Sequence, residues 1–125
     1  MAPKILFVNK FHRPHSLLHT LEKRGYRILR ASNGLKLISH LEVENPDLIV
    51  MDTKAVWPNS FSLCKALRKG KYKSIPVFFY SDGPCTEEES TRSYQCGATQ
   101  YFSMPSQLDS FITKVREFAG TPGQY

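Results

Sequence analysis

Asp-Leu-Ile-Val-Met-Asp, at residues 47–52, is the stretch that decides the fold expected for this chain. Four apolar residues, rich in branched aliphatic side chains, follow the turn pair Asn45-Pro46. This pattern is typical of a strand buried on both faces of a parallel sheet. The assignment puts Asp52 at the carboxyl end of that strand. Open α/β sheets bind ligands outside the carboxyl ends of their strands, so Asp52 is the first candidate for a chemical group.

Length and composition predict a single soluble domain. At 125 residues, one hydrophobic core can bury about two-thirds of the surface of the unfolded chain. No apolar run approaches the roughly 20 residues of a membrane span, and the first residues do not resemble a signal peptide. Cys64, Cys85 and Cys96 lack the Cys-x-x-Cys spacing of metal and redox sites, which indicates free thiols. We therefore expect a cytoplasmic protein with no membrane attachment.

Apolar periodicity predicts five strands that alternate with five helices. Strands are expected at residues 4–8, 26–29, 47–52, 75–80 and 99–103. This alternation favours an α/β fold with a doubly wound parallel sheet, covered by helices on both faces and connected by right-handed crossovers. Residues 1–118 would form the domain, and residues 119–125 a C-terminal tail or linker.

Two helices carry the more specific sequence signals. Asn33-Gly34 is interpreted as a turn that precedes the second helix. Thr86 and Glu89 resemble a capping box, which predicts the fourth helix over residues 86–96. That helix has little apolar surface, and we expect it to be the least firmly held. The residues expected to line the second helix are Leu35, Ile38 and Leu41.

Polar residues gather where the predicted strands end. In a doubly wound sheet the carboxyl ends of strands one, three, four and five lie at one edge. The side chains expected to line a shallow cleft there are Asn9, Lys10, Asp52, Ser81, Asp82 and Met104.

The order of these landmarks resembles the receiver domain of bacterial two-component response regulators, which has the flavodoxin-like fold of the chemotaxis protein CheY. The resemblance covers nearly the whole chain and implies a five-stranded parallel sheet in the order 2-1-3-4-5, within three α/β/α layers. The matching stretches are Lys-Ile-Leu-Phe-Val at 4–8, Pro-Asp-Leu-Ile-Val-Met-Asp at 46–52, Ile-Pro-Val at 75–77 followed by Ser81, and Gly-Ala-Thr-Gln-Tyr-Phe-Ser-Met-Pro at 97–105.

The resemblance also implies roles for individual residues. In that family, two acidic residues after strand one and the Asp of strand three hold Mg²⁺, and this Asp accepts the phosphoryl group. A hydroxyl after strand four bonds the phosphoryl group, a Lys before a Pro neutralises it, and an aromatic residue of strand five switches rotamer. Asp52, Ser81 and Tyr101 match the phosphoacceptor, the hydroxyl and the switch aromatic. Such chemistry depends on positioning and on cations that offset developing charge.

The positions that handle cations depart from the family pattern. Asn9 and Lys10 stand at the acidic pair, and an ammonium group there opposes Mg²⁺, which needs hard oxygen ligands. Met104 stands at the Lys position and cannot pair with a phosphoryl oxygen. Asp82 occupies a position that the family usually keeps small. Two placements of Lys10 stay open: a pair with Asp52 across the cleft, or a side chain in water.

These departures favour a degenerate receiver, or pseudo-receiver. Such a domain would not be an enzyme, would need no metal or other cofactor, and would act through protein–protein interaction. Its partner would be a kinase, an effector domain or a signalling complex. The surface made by the fourth helix, strand five and the fifth helix would bind it, or would form a homodimer. Residues expected on this interaction face are Glu88, Arg92, Tyr101 and Phe111.

Two alternatives stay open. The chain would be an active response regulator of a phosphorelay if a histidine kinase phosphorylated Asp52 with Mg²⁺ as cofactor. The net charge of +6, from 17 basic and 11 acidic residues, would instead suit an accessory domain that docks on nucleic acid. The basic residues are scattered, without aromatic interleaving or a recognition helix, so nucleic acid is the less favoured alternative.

Overall fold

The structure is a computed structural model that describes residues 3–8, 16–53, 60–82, 86–104 and 106–122. Within these residues, five strands alternate with five helices. The strands are β1 (Lys4–Val8), β2 (Arg27–Ala31), β3 (Leu48–Asp52), β4 (Val77–Asp82) and β5 (Gln100–Met104). The helices are α1 (Ser16–Lys23), α2 (Gly34–Glu44), α3 (Ser60–Leu67), α4 (Glu87–Gln95) and α5 (Leu108–Ala119).

The strands form one parallel sheet in the order β2-β1-β3-β4-β5, which confirms the predicted flavodoxin-like topology. β3 lies at the centre, and its four apolar residues are fully buried. A central parallel strand is covered by helices on both faces, so an uninterrupted apolar run is stable there. Asp52, the last residue of this strand, therefore lies at the carboxyl edge of the sheet.

Two apolar cores cover the two faces of the sheet. Phe7 and Phe78 point to a core shared with α1 and α5, whereas Leu6 and Phe79 point to a core shared with α2 and α3. Successive side chains of a strand face opposite sides, so each strand contributes to both cores. Burial of this apolar surface is worth about 25 cal/mol per Å² and is the main term that stabilises the fold. The arrangement is the predicted three-layer one.

Both ends of α2 are capped by asparagine. The Asn33 side chain accepts a hydrogen bond from the Lys36 backbone N–H at 2.9 Å, so Asn33 is the N-cap. The prediction of a separate turn at Asn33-Gly34 is therefore wrong, because Gly34 already begins the helix. Asn45 ends the helix in the left-handed region, with φ of 49°.

The face of α2 that contacts the sheet also differs from the prediction. Leu37 and Leu41 are buried, whereas Leu35 is 81% exposed and Ile38 is 41% exposed. The apolar residues of α2 occur on more than one side of the helix. Their periodicity is therefore compatible with more than one buried face. Packing on the sheet selects the stripe of Leu37 and Leu41, and only Leu41 was predicted correctly.

Helix α4 begins at the predicted capping residue. The Thr86 hydroxyl accepts a hydrogen bond from the Glu89 backbone N–H at 3.1 Å. Three glutamates in the first turn complement the positive end of the helix dipole. Ser93 is the buried residue of this helix. Helix α4 therefore depends on caps and polar contacts more than on apolar burial.

The end of α5 is bonded to the residue that precedes β2. Gly120 caps the helix with φ of 92°, and its carbonyl accepts a hydrogen bond from the Tyr26 hydroxyl at 2.6 Å. Helix α5 extends to Ala119, one residue beyond the domain boundary that we expected at 118. None of the described helices is long and apolar enough to cross a membrane.

Candidate functional site

Asp52 is the last residue of β3 and lies at the carboxyl edge of the sheet. It is opposite Tyr80 of β4, and the Thr53 N–H continues the ladder by donating to the Tyr80 carbonyl at 3.0 Å. The Ser60 hydroxyl, at the start of α3, donates to the Asp52 backbone carbonyl at 2.6 Å. The backbone of Asp52 is thus held from two sides while its side chain is half-buried.

Strands β4 and β5 bring Ser81 and Met104 to the same edge. In the register of these strands, Ser81 is opposite Ser103 and Asp82 is opposite Met104. Ser81 is buried. Met104 is only 5% exposed and belongs to the same apolar core as Phe102. The apolar side chain of Met104 therefore lies at the edge near Asp52, at the position where the family pattern has Lys.

Three of the predicted site side chains fall outside what the structure describes. Asn9 and Lys10 lie outside the described residues, and the side chain of Asp82 does too. The pairing of Lys10 with Asp52 stays a prediction. Of the predicted cleft, the structure places Asp52, Ser81 and Met104 at one edge.

Thr53 is a polar residue beside Asp52 that no sequence motif singled out. Its side chain is buried, and its hydroxyl has no hydrogen-bond partner among the described residues. Leaving a buried hydroxyl without a partner costs about 1–3 kcal/mol. The signal available in the sequence was a hydroxyl residue directly after the candidate acid.

The donor set at this edge does not fit the Mg²⁺ ion that the resemblance implies. Mg²⁺ takes an octahedral shell of oxygens and is usually held by one or two carboxylates. The described residues include no group of three His, Cys, Asp or Glu side chains that could hold a metal. Asp52 supplies one carboxylate, but Asn9 and Lys10 stand where the family pattern has two acidic residues, and the Lys10 ammonium would add a positive charge.

The predicted switch aromatic, Tyr101, points inward. It is buried in the core shared with α2 and α3. Its hydroxyl donates to Glu89 Oε2 at 3.0 Å, and its backbone N–H donates to the Tyr94 hydroxyl at 3.2 Å. Two side chains of α4 thereby fasten that helix to β5.

Glu88 and Arg92 lie on the exposed surface of α4, where we expected the interaction face. The Arg92 guanidinium carbon lies 4.5 Å from the centroid of the Phe61 ring of α3. This distance is typical of a cation–π contact. Arg92 therefore links α4 to α3 while it stays accessible.

Phe111, like Tyr101, is buried and does not lie on that exposed face, so this part of the prediction is wrong. It is 0% exposed and packs edge-on against Phe102 and Phe78. The Phe111 side chain faces the sheet, because it lies with Ile112 and Val115 on the buried side of α5. Phe118 is the more exposed aromatic residue of α5.

Arg68 is a further residue that the sequence did not reveal. Its Nε donates to the Gly97 carbonyl at 2.7 Å, and its Nη1 donates to the carbonyls of Lys73 and Ile75 at 2.8 and 2.7 Å. Its Nη2 donates to Thr99 Oγ1 at 3.4 Å. In the sequence, Arg68 resembles an ordinary basic residue at a helix end. In the fold it joins the end of α3 to the loops that precede β4 and β5.

Comparison with known proteins agrees with this geometry. Residues 13–116 match the response regulator receiver domain. The chain is 26% identical to sporulation initiation phosphotransferase F of Bacillus subtilis over 121 residues, which cover 94% of each protein. It spans only 14% to 48% of the length of several other curated relatives.

Solved structures give the same result for the fold. The receiver domain of a signal transduction histidine kinase from Syntrophus aciditrophicus superimposes with a TM-score of 0.81 at 25% identity, covering 99% of this chain and 95% of that one. The chemotaxis protein CheY4 of Vibrio cholerae has a TM-score of 0.79 at 21% identity, covering 94% of this chain and 99% of that one. The second likeness bears on the fold alone.

Proposed function

This chain belongs to the response regulator receiver domain family, and from that premise we propose that it is a pseudo-receiver. It is a receiver domain of the two-component signalling type, and we infer that it signals by binding a protein rather than by efficient phosphorylation of Asp52. It would not act as an enzyme and would need no metal ion. The retained and the altered positions of the site support this proposal in different ways.

The observation that carries the proposal is the burial of Met104 in an apolar core. A phosphoryl group on Asp52 would carry about two negative charges, as phosphorylated side chains do at neutral pH. Positioned cations are the main means by which proteins stabilise such charge. Met104 provides no positive charge, and Mg²⁺ fits poorly because Asn9 and Lys10 replace the acidic pair. The phosphorylated state would therefore lack its usual stabilisation.

The state of Tyr101 supports constitutive binding by the face formed by α4, β5 and α5. The family resemblance implies that this face changes when the strand-four hydroxyl is drawn inward and the aromatic residue follows. Here Ser81 and Tyr101 are both buried, and Glu89 holds the Tyr101 hydroxyl. A ligand shifts a conformational equilibrium only through different affinities for its two states. We infer one dominant conformation of this face.

The partner would be a kinase, an effector domain or a signalling complex, with a second copy of the chain as another candidate. Glu88 and Arg92 are exposed on α4 and would make polar contacts with it. Because the chain is basic, nucleic acid is a further but less favoured candidate partner. Phosphoryl transfer on Asp52 is the competing function, and the retained Asp52 and Ser81 favour it.

Intact-mass analysis after incubation with acetyl phosphate and Mg²⁺ tests the proposal. We expect no stoichiometric phosphoryl adduct on the unaltered chain, because the cations that stabilise it are missing. The triple variant Asn9→Asp, Lys10→Asp, Met104→Lys restores the family pattern and should gain an adduct that mild base removes. Adding Asp52→Asn to the triple variant should abolish it.

A stoichiometric, base-labile adduct on Asp52 of the unaltered chain would contradict the proposal and establish the competing function. Circular dichroism of each variant checks that it is folded, since Met104→Lys places an ammonium group in an apolar core. A double variant with only Asn9→Asp and Lys10→Asp leaves that core intact. It should bind Mg²⁺ more tightly than the unaltered chain, and this binding is measured by titration calorimetry.

A further inference from the structure

A shallow pocket of about 200 Å³ lies between α3 and α4, on the face of the sheet opposite α1 and α5. Its lining includes two cationic side chains, Lys65 of α3 and Arg92 of α4, and both are exposed. The other residues that line this α3–α4 pocket are Phe61, Ser62, Gln95 and Cys96. None of the lining residues is acidic, so the pocket presents positive charge and polar hydrogen-bond donors to the solvent.

The Phe61 ring supports the Arg92 guanidinium in this pocket. The guanidinium carbon lies 4.5 Å from the centroid of the Phe61 ring. That ring stacks on Phe79 of β4, which is fully buried, with centroids 5.3 Å apart and an interplanar angle of 23°. The core thus holds the ring on which the cation lies, and Arg92 loses less freedom when it binds an anion. A guanidinium stacked on a ring keeps the N–H groups of its edge available for the two oxygens of a carboxylate.

The two cations of the α3–α4 pocket are not neutralised by neighbouring acidic side chains. Within the part of the chain that the structure describes, neither Lys65 nor Arg92 lies within ion-pair distance of a carboxylate. By contrast, Lys4 and Arg27 lie 3.4 and 3.7 Å from the same Glu44 carboxylate oxygen. The charges of Lys65 and Arg92 therefore remain available to a ligand.

A basic segment continues from the α3–α4 pocket. Residues 60–81 contain no acidic residue. Their basic residues are Lys65, Arg68, Lys69, Lys71 and Lys73. Arg68 donates to the Gly97 carbonyl and to two carbonyls in the loop after α3, so this loop lies beside the end of α4. The lysines at 69, 71 and 73 are exposed along it, and the pocket is one end of a longer cationic surface.

We propose that the α3–α4 pocket and the basic loop at residues 69–73 bind an acidic peptide segment of a partner protein. One carboxylate of the segment contacts Arg92 and Lys65 in the pocket, and further carboxylates lie along the loop. Steering by opposite charge would also speed the encounter of the two proteins.

The acidic turn of α4 favours a peptide over nucleic acid as the polyanion. Glu87 and Glu88 are exposed in the first turn of this helix, and Glu88 lies one helical turn before Arg92. A continuous phosphate backbone along α4 would meet these like charges. A peptide places its carboxylates only where the cations lie.

The inference rests on the proposed function in one respect, since it assumes a protein partner. It gives that partner a chemical class and extends its contact surface from α4 toward α3. Peptide binding does not involve Asp52. Loss of this inference would therefore leave the expected absence of an adduct on Asp52 untouched, because that absence is measured separately by intact mass.

Fluorescence anisotropy of a dye-labelled hexaglutamate peptide tests the proposal on the full chain. At about 50 mM NaCl we expect saturable binding that weakens as added salt screens the charges. Hexaglutamine with the same dye keeps the backbone without the charge and should not bind. The double variant Lys65→Gln, Arg92→Gln should bind hexaglutamate about tenfold more weakly, because two exposed ion pairs are lost.

The matched control is the double variant Lys23→Gln, Arg24→Gln. It removes one lysine and one arginine from the exposed end of α1, on the other face of the sheet. It should bind hexaglutamate as tightly as the unaltered chain does. Circular dichroism of both double variants checks that they are folded.

Four results would overturn the proposal. The first two are no binding of hexaglutamate and equal weakening by the two double variants. The third is tighter binding of a thymidine oligonucleotide of the same charge, which would assign the surface to nucleic acid. The fourth is a dimer in sedimentation velocity that Lys65→Gln, Arg92→Gln dissociates, which would assign it to a second copy of the chain.

Discussion

At the scale of single residues, Arg68 connects three segments through one side chain. It hydrogen-bonds the carbonyls of Gly97, Lys73 and Ile75 and the Thr99 hydroxyl. Arg68→Ala leaves these acceptors without their donor, so the free energy of unfolding should fall by about 2 kcal/mol. Urea denaturation followed by circular dichroism measures the change.

The matched control is Arg92→Ala, which removes an equally long cationic side chain from the neighbouring helix. Arg92 is exposed and loses a cation–π contact with Phe61, which is worth about 0.5–1 kcal/mol at exposed sites. If the two substitutions cost the same, Arg68 does not fasten the loops as inferred from its hydrogen bonds.

At the scale of elements, the attachment of α4 depends on polar contacts. Tyr101→Phe removes the hydroxyl that donates to Glu89 and keeps the buried ring. A hydrogen bond to a charged group is worth about 1.5–3 kcal/mol, although partial exposure lowers its net value. Residues 86–96 should therefore exchange amide hydrogens faster in this variant, as measured by mass spectrometry.

Tyr72→Phe is the control for loss of a tyrosine hydroxyl. The Tyr72 hydroxyl is buried and has no hydrogen-bond partner among the described residues, so its removal should leave exchange in residues 86–96 unchanged. If Tyr101→Phe exchanged at the rate of the unaltered chain, the contact with Glu89 would not hold α4 to the sheet.

At the scale of the whole molecule, the edge that contains Asp52 and the face formed by α4, β5 and α5 should be uncoupled. The inward state of Tyr101 is held by Glu89 and does not require a group on Asp52. Adding beryllofluoride with Mg²⁺, a phosphoryl mimic, should leave the amide chemical shifts of residues 86–104 unchanged. Two-dimensional NMR of the labelled chain measures this.

The variant with Asn9→Asp, Lys10→Asp and Met104→Lys serves as the comparison in that experiment. It should bind the mimic and shift resonances near Asp52. Shifts that extend from Asp52 to Tyr101 in the unaltered chain would show that the face still responds to the site. Binding by the face would then be regulated rather than constitutive.

Much of the fold was predictable because its signals are local. The apolar run of β3 and the helix N-cap Thr86 are each specified by a few consecutive residues, and the structure confirms both. Strand β4 begins at Val77 rather than at residue 75, partly because Pro76 has no N–H for a sheet hydrogen bond. Even a local signal can be ambiguous, as Asn33-Gly34 shows, since Asn suits a turn and a helix N-cap alike.

The sequence by itself determined the order of elements, the parallel sheet and the position of Asp52 at a strand end, because these follow from periodicity and turn residues. Only the tertiary structure decided that Leu37 rather than Leu35 is buried and that Phe111 faces inward. The physical reason is that these features depend on packing between segments far apart in the chain. No local pattern specifies which face of a helix that packing will select.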